Sequence, residues 1–362
     1  MYIILISNIK LNSYSLRFMI YCKQFMKVLL YTESRDLLSK SGLGKAIEHQ
    51  QQALDSQGIE YTLDPQDDYD IAHINTYLLK SAVFIEQLKR KNIPIVYHAH
   101  STEEDFRNSF IFSNYTSPLL KKWLIHCYNY GQAIITPTPY AKRILQQYGI
   151  DKPIYPISNG INLSFFHKND AQRKIFRSTY GFSEDDKVIL GIGLYLERKG
   201  ILDFIELAKL NPEYKFIWMG YTPLITLPAK IRDAVKVEYP NLTYAGYVEQ
   251  NMIRNALSGC DLYIFPTYEE TEGIPIVEAC AMQTKSIVRD IGVFEDWLFD
   301  GINVYKANTI SEFDLKIDQI LSGELPDLTE AGYIVAEERD IAVIGKKLKE
   351  VYESVLKNDN CD

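Results

Sequence analysis

Residues 268–281 read Tyr-Glu-Glu-Thr-Glu-Gly-Ile-Pro-Ile-Val-Glu-Ala-Cys-Ala and concentrate groups that can bind a polar ligand. Glu270 and Glu278 have seven residues between them, and Glu269 and Glu272 flank the first. Ionised carboxylates accept hydrogen bonds on both oxygens, so such a set can orient a hydroxyl-rich molecule. Pro275, just past Gly273, suits the first turn of a helix, where its missing N–H would be unpaired anyway. The free N–H groups and positive dipole end of a helix start favour an anion such as a phosphate. Acidic residues are also simply favoured at helix starts, so the glutamates alone leave both readings open.

Other stretches offer complementary chemistry. Arg198 and Lys199 lie in a loop ending at Gly200, and two adjacent cations suit a diphosphate, with Arg able to grip it in two places. Lys-Gly is also common in ordinary loops. Residues 93–100 read as a strand that delivers His98 and His100 near its end. No third ligand follows at metal spacing, which favours hydrogen bonding over zinc. The Ser41-Gly42-Leu43-Gly44-Lys45 turn is not a Walker A loop: Ser39 stands where its first glycine would be, and Ala46 follows Lys45. A glycine-rich turn before a helix can bring backbone close to a phosphate or sugar; a plain strand-to-helix turn is the other reading.

The elements that must position these groups alternate strand and helix. Leu262-Tyr263-Ile264-Phe265, stopped by Pro266, is a short buried strand that carries the glutamates at its end. Similar apolar runs recur at 28–31, 69–75, 133–138, 154–157, 188–193, 215–220 and 242–247. Strand–helix alternation implies parallel sheets with right-handed crossovers, and such sheets bind ligands at the carboxyl ends of their strands. The polar stretch 167–187 reads as a linker plus a short helix, which divides the chain into two such series. A final helix over about 341–356 carries Ile344, Leu348, Val351 and Val355 on one face.

Bulk properties exclude several classes. A chain of 362 residues has room for two ordinary domains, and 46% apolar with 24% charged residues is a soluble globular composition. A net charge of −8 argues against general nucleic-acid binding. Cysteines 22, 127, 260, 280 and 360 are scattered without Cys-x-x-Cys spacing, which reads as reduced thiols of a cytosolic protein. No apolar run is long enough to cross a bilayer. Met26 opens directly into a strand, so residues 1–25 read as an extension from an upstream start rather than a cleaved signal. Residues 106–123 mix Phe106, Phe110, Phe112 and Trp123 with Arg107, Lys121 and Lys122: either core aromatics with solvated cations, or a face lying on an anionic membrane.

Taken in order, Ser41-Gly-Leu-Gly, His100, Thr136-Pro-Thr, Ser158-Asn-Gly-Ile-Asn, Arg198-Lys-Gly, Gly246-Tyr-Val and residues 261–278 resemble the retaining glycosyltransferases of family 4. The resemblance covers the chain from Met26 onward. It implies the α/β GT-B fold: two doubly wound, Rossmann-like domains facing across a cleft, at 26–166 for the acceptor and 167–340 for the nucleotide sugar. Residues 341–362 would then pack back toward the first domain. Lys199 and Arg198 would bind the donor's diphosphate, Glu270 and His100 would meet the sugar, and Glu278 the ribose. The rest of the donor site would be Gly42, Gly44, Gly193, Gly220, Tyr247, Val248, Glu272, Gly273, Ile274 and Pro275. Two departures stand out: Gly193-Leu194 replaces the family's usual Gly-Arg, and Glu272 is an extra carboxylate.

Residues 269–273 together with 100–110 look like the bacterial glycolipid synthases that add a second hexose to glucosyl-diacylglycerol. That likeness implies a UDP-sugar donor, galactose ahead of glucose, no metal cofactor, and a glycolipid acceptor. It also implies a peripheral place on the inner face of the cell membrane, with the anionic surface met by residues 106–123. A polysaccharide acceptor, a non-catalytic partner subunit and, more remotely, an epimerase are the competing expectations.

Overall fold

The computed structural model describes residues 26–34, 41–109 and 112–359; the extension 1–25 and Phe110 lie outside them. Two six-stranded parallel sheets carry the fold. The first contains β1 (Lys27–Tyr31), β2 (Glu60–Thr62), β3 (Ile71–Ile74), β4 (Ile95–His98), β5 (Ala133–Thr136) and β6 (Ile154–Pro156), in the order β2-β1-β3-β4-β5-β6. The second contains β7 (Val188–Ile192), β8 (Lys215–Met219), β9 (Leu242–Gly246), β10 (Leu262–Phe265), β11 (Ser286–Arg289) and β12 (Tyr305–Ala307), in the order β12-β11-β10-β7-β8-β9. Helices cover both faces of each sheet. For that reason strands such as β4, β5 and β10 are buried along their whole length and read as unbroken apolar runs.

Strand order decides where ligands can enter. In the second sheet β7 lies against β10 on one side and β8 on the other, so the connections diverge between β7 and β10. In the first they diverge at β1, between β2 and β3. Such switch points open a crevice at the carboxyl ends of the strands. The Arg198-Lys199 loop follows β7, the glutamates follow β10 and the Gly42–Ser56 helix follows β1.

The last helix, Ile341–Asp359, returns to the first sheet. Its Ile344, Leu348, Val351, Tyr352 and Val355 share a core with Val28, Leu30, Ala53, Leu54 and Val96. Gly345 lets it approach closely, since a Cβ there would lie 2.2 Å from the Ala53 carbonyl oxygen. The chain thus crosses between domains twice, and the crossings pair: Ile161 N donates to Arg339 O at 2.9 Å, and Ile341 N to Ile161 O at 3.0 Å.

Candidate active site

Glycines bring the cationic loop onto the glutamate strand. Gly200 has φ +75°, and a Cβ there would lie 2.2 Å from the Pro266 carbonyl oxygen, so the Arg198-Lys199 turn presses directly on the end of β10. Gly220, at φ +135°, packs as tightly on Gly193, whose carbonyl also accepts from Trp218 Nε1 at 2.8 Å. Lys199 Nζ pairs with Glu270 Oε1, their side chains only 15% and 9% exposed. The Thr267 hydroxyl lies 3.0 Å from both Glu270 Oε1 and Arg198 O. Burial pulls the Lys199 ammonium below its ordinary pKa, while Glu270 opposes the shift.

Arg198 reaches across the cleft. Its Nε donates to Ser109 Oγ at 2.8 Å and its NH1 to Glu269 O at 3.2 Å. Asp105 faces this cationic pair, and the Glu269 carboxyl lies near Asp105 and Glu270. Asp105 is pushed up to about 6 by burial, against the pull of Arg198. Glu269 is pushed up to about 7, again by burial, and accepts a 3.0 Å hydrogen bond from Tyr140 OH. Thr138 Oγ1 donates to Thr271 O at 2.9 Å, so the first domain grips the glutamate loop at several points.

Beyond that loop, Gly273 at φ +92° begins the helix Ile274–Ala281 with no side-chain cap, which leaves the helix start open to an anion. Glu278, one turn in, is fully buried. Its Oε1 accepts from Lys45 Nζ at 3.2 Å, while its Oε2 is buried with no hydrogen-bond partner. Glu272 is oriented differently. Its Oε2 accepts from the backbone N and Nδ2 of Asn159 at 2.9 and 2.7 Å, and Arg339 Nε lies 3.9 Å from its Oε1. The extra carboxylate therefore ties the loop to the interdomain crossing. Tyr247 and Val248, after β9, lie at the rim, Tyr247 46% exposed. The N–H of Gly44 donates to Ser41 Oγ at 3.2 Å and Gly42 has open space around it.

On the opposite wall His100 is anchored by Asn75, whose Oδ1 lies 2.9 Å from its Nε2. Because that oxygen only accepts, Nε2 carries the proton and Nδ1 is the acceptor. His100 stacks on His98 with centroids 3.8 Å apart. His73 Nε2 lies 3.1 Å from His98 Nδ1, and Tyr352 OH lies 2.6 Å from His73 Nδ1. Burial pulls His73 and His100 down to about 3, so both rings are neutral near pH 7. His100 can then orient a hydroxyl but brings no charge.

The 106–123 stretch splits. Phe112 (71%), Tyr115 (87%) and Leu119 (72%) are exposed, with exposed Lys122 nearby. Trp123 departs from the expected surface face: its indole donates to Tyr77 O at 2.6 Å and its ring packs on the core of the first domain. Lys121 lies over the Tyr148 ring at 4.3 Å, and Arg107 pairs with Glu103 at 2.7 Å. Phe106 is partly buried. Among the described residues no helix is long and apolar enough to cross a membrane, and no cluster of three His, Cys, Asp or Glu could hold a metal.

The structure brings Arg198, Lys199, Glu270, Glu278 and the helix start to one crevice, with His100 on its facing wall. It adds Lys45, Asn75, Asp105, Ser109, Tyr140 and Thr267, which sequence reasoning did not assign. Lys45, Asn75 and Thr267 had a local signal, each a polar residue beside a strand end or glycine turn.

Comparison with known proteins bears on the family and the fold. Residues 51–165 match the Glycosyltransferase Family 4 model and residues 172–354 the model for glycosyl transferases group 1. The chain is 40% identical over 333 residues to a processive diacylglycerol alpha-glucosyltransferase of Acholeplasma laidlawii, covering 92% of this chain and 99% of that protein. It is 25% identical to an alpha-galactosylglucosyldiacylglycerol synthase of Streptococcus pneumoniae over 62% of each chain. Anabaena HepE, solved with UDP and glucose, superposes at TM-score 0.74 and 16% identity, over 91% of this chain and all of HepE. Sucrose-phosphate synthase from Thermosynechococcus elongatus superposes at TM-score 0.77 and 15% identity, over 92% of this chain and all of that one. The chain belongs to glycosyltransferase family 4 and is a glycosyltransferase of the GT-B fold.

Proposed function

We propose that this enzyme transfers a hexose from a UDP-sugar to a glycosyl-diacylglycerol, with retention at the anomeric carbon. The observation that carries the reading is the convergence of Arg198 and Lys199 with an uncapped helix start at the β7/β10 switch point. There they would neutralise the charge that grows on the departing UDP, an electrostatic role in which side chains and helix dipole serve without a metal. Glu278 would take the ribose hydroxyls, and Glu270 and neutral His100 would orient the hexose. The acceptor hydroxyl attacks the anomeric carbon from the side that UDP leaves. As the bond to the acceptor oxygen forms, the bond to the phosphate oxygen breaks, and the hydroxyl proton passes to the diphosphate.

The likeness to a glucosyltransferase at 40% identity weighs toward glucose over galactose, and toward a diacylglycerol lipid acceptor. Phe112, Tyr115, Leu119 and Lys122 would lie on the anionic membrane surface that holds this acceptor. The test incubates purified protein with labelled UDP-glucose or UDP-galactose and either diacylglycerol or glucosyl-diacylglycerol in anionic vesicles, followed by lipid extraction. Labelled glycolipid from UDP-glucose supports the reading. Label that stays in the aqueous phase while UDP binds tightly would sink the lipid acceptor.

A further inference from the structure

Lys45 starts from the first domain yet ends in the second. Its side chain leaves the first turn of the Gly42–Ser56 helix and places Nζ 3.2 Å from Glu278 Oε1. The lysine side chain is 28% exposed and the carboxylate 0%. Glu278 Oε2 is buried and accepts no hydrogen bond. A buried carboxylate with one counter-ion and one orphaned oxygen is half-satisfied, and such a group calls for a further donor.

On the reading that Glu278 receives the donor's ribose, that further donor is a vicinal diol, which offers a hydrogen to each carboxylate oxygen. A diol that fills both sites competes with the ammonium for Oε1 and weakens its hold there. The helix start offers the ammonium an anion to meet once a phosphate is bound. Glu278 follows Ile274 by about one turn, so the carboxylate that holds the ammonium stands on the same short helix whose start is open to a phosphate. A four-carbon stem with three rotatable donors can turn from one to the other.

We propose that Lys45 is an exchanging ligand of the nucleotide's phosphates. It neutralises Glu278 while the site is empty and passes to the diphosphate when the ribose takes both carboxylate oxygens. Donor binding then swaps one ion pair for another, and the first domain contributes a cation to a site otherwise built by the second.

Calorimetric titration with UDP and with uridine tests this on the wild type, Lys45→Met and Lys45→Arg. The ratio of UDP to uridine affinity is expected to fall roughly ten- to hundredfold in Lys45→Met, the range of a hydrogen bond to a charged group. Uridine, which has no phosphate, should bind equally well or more tightly because its competitor for Glu278 is gone. Lys45→Arg should recover most of the UDP affinity. Equal shifts for UDP and uridine would overturn the proposal, since Lys45 would then act only by holding Glu278. If Lys45→Met fails to fold around a bare carboxylate, Glu278→Gln with and without Lys45→Met gives the same comparison: the added loss must appear for UDP and not for uridine. Wild-type protein that binds neither compound would instead reject the donor reading itself.

Discussion

Replacing Lys199 by Met is predicted to separate stability from catalysis, provided a second substitution is made beside it. The Lys199–Glu270 pair is buried, and removal of the lysine leaves Glu270 with the Thr267 hydroxyl at 3.0 Å as its remaining partner. Breaking a buried pair from one side costs about 3–5 kcal/mol; the surviving hydroxyl places this case near the lower figure. For a domain of this size about 3 kcal/mol lowers the melting temperature by roughly 6–12 °C. Adding Glu270→Gln removes the stranded charge, so the double variant should regain most of that loss. Catalysis should not follow, because the cation that meets the diphosphate is still missing, and kcat should stay about 10²–10³-fold down. Thermal melts by circular dichroism and initial rates of sugar transfer provide the two readouts. Activity recovered in step with stability would refute the reasoning, for Lys199 would then be only the counter-ion of Glu270.

Three further predictions follow from the geometry. Asn75→Ala frees His100 from its 2.9 Å anchor and should lower kcat about five- to tenfold with KM little changed; a change in KM alone would count against an orienting role. Glu269 titrates near 7, above its ordinary 4.5, so the fold favours its protonated form. Its contribution is therefore most favourable below about pH 4.5 and is lost as pH rises through 7. The loss is at most about 3 kcal/mol, and Glu269→Gln should flatten that part of the pH–stability curve measured by denaturant titration. An unchanged slope would exclude Glu269 as its source. Gly200→Ala forces a Cβ against the Pro266 carbonyl at a positive φ and should destabilise by at least about 2 kcal/mol, visible as a lower melting temperature.

Much of this architecture was legible because parallel sheets leave strong local marks. β10 has the bounds its apolar run and Pro266 suggest, and β3 to β9 fall on predicted runs; β3, β4, β5 and β7 are buried along their whole length because helices wrap both faces. β2, β11 and β12 went unread: they are short edge or near-edge strands whose apolar content is thin or interrupted by charge, as in Ser286-Ile-Val-Arg289. The site divides the same way. Glu270, Glu278, Arg198 and Lys199 stand out by type and spacing at strand ends, though residue type alone left an ordinary helix start and loop open and the ordered resemblance supplied their expected roles. Glu272 does not, because its partner Asn159 is 113 residues away and only the fold brings them together. Lys45 meets Glu278 across 233 residues for the same reason. Pattern alone left Trp123 open to a core or a surface place, and the likeness to lipid-acting enzymes tipped it to the surface; its acceptor, the Tyr77 carbonyl, has no sequence signature.

The return of helix Ile341–Asp359 to the first sheet also sets an order of assembly. The domain whose strands leave the ribosome first cannot seal its core until the last helix has been synthesised, because Ile344, Leu348, Val351 and Tyr352 fill the layer against Val28, Leu30 and Val96. The intervening domain has no such debt to later sequence and can close beforehand. During translation the nascent chain therefore carries an unfinished apolar face for the whole time the second domain is being made. Chaperone demand should concentrate on that interval, and a stop codon just before Ile341 should yield aggregated first domain beside a soundly folded second one.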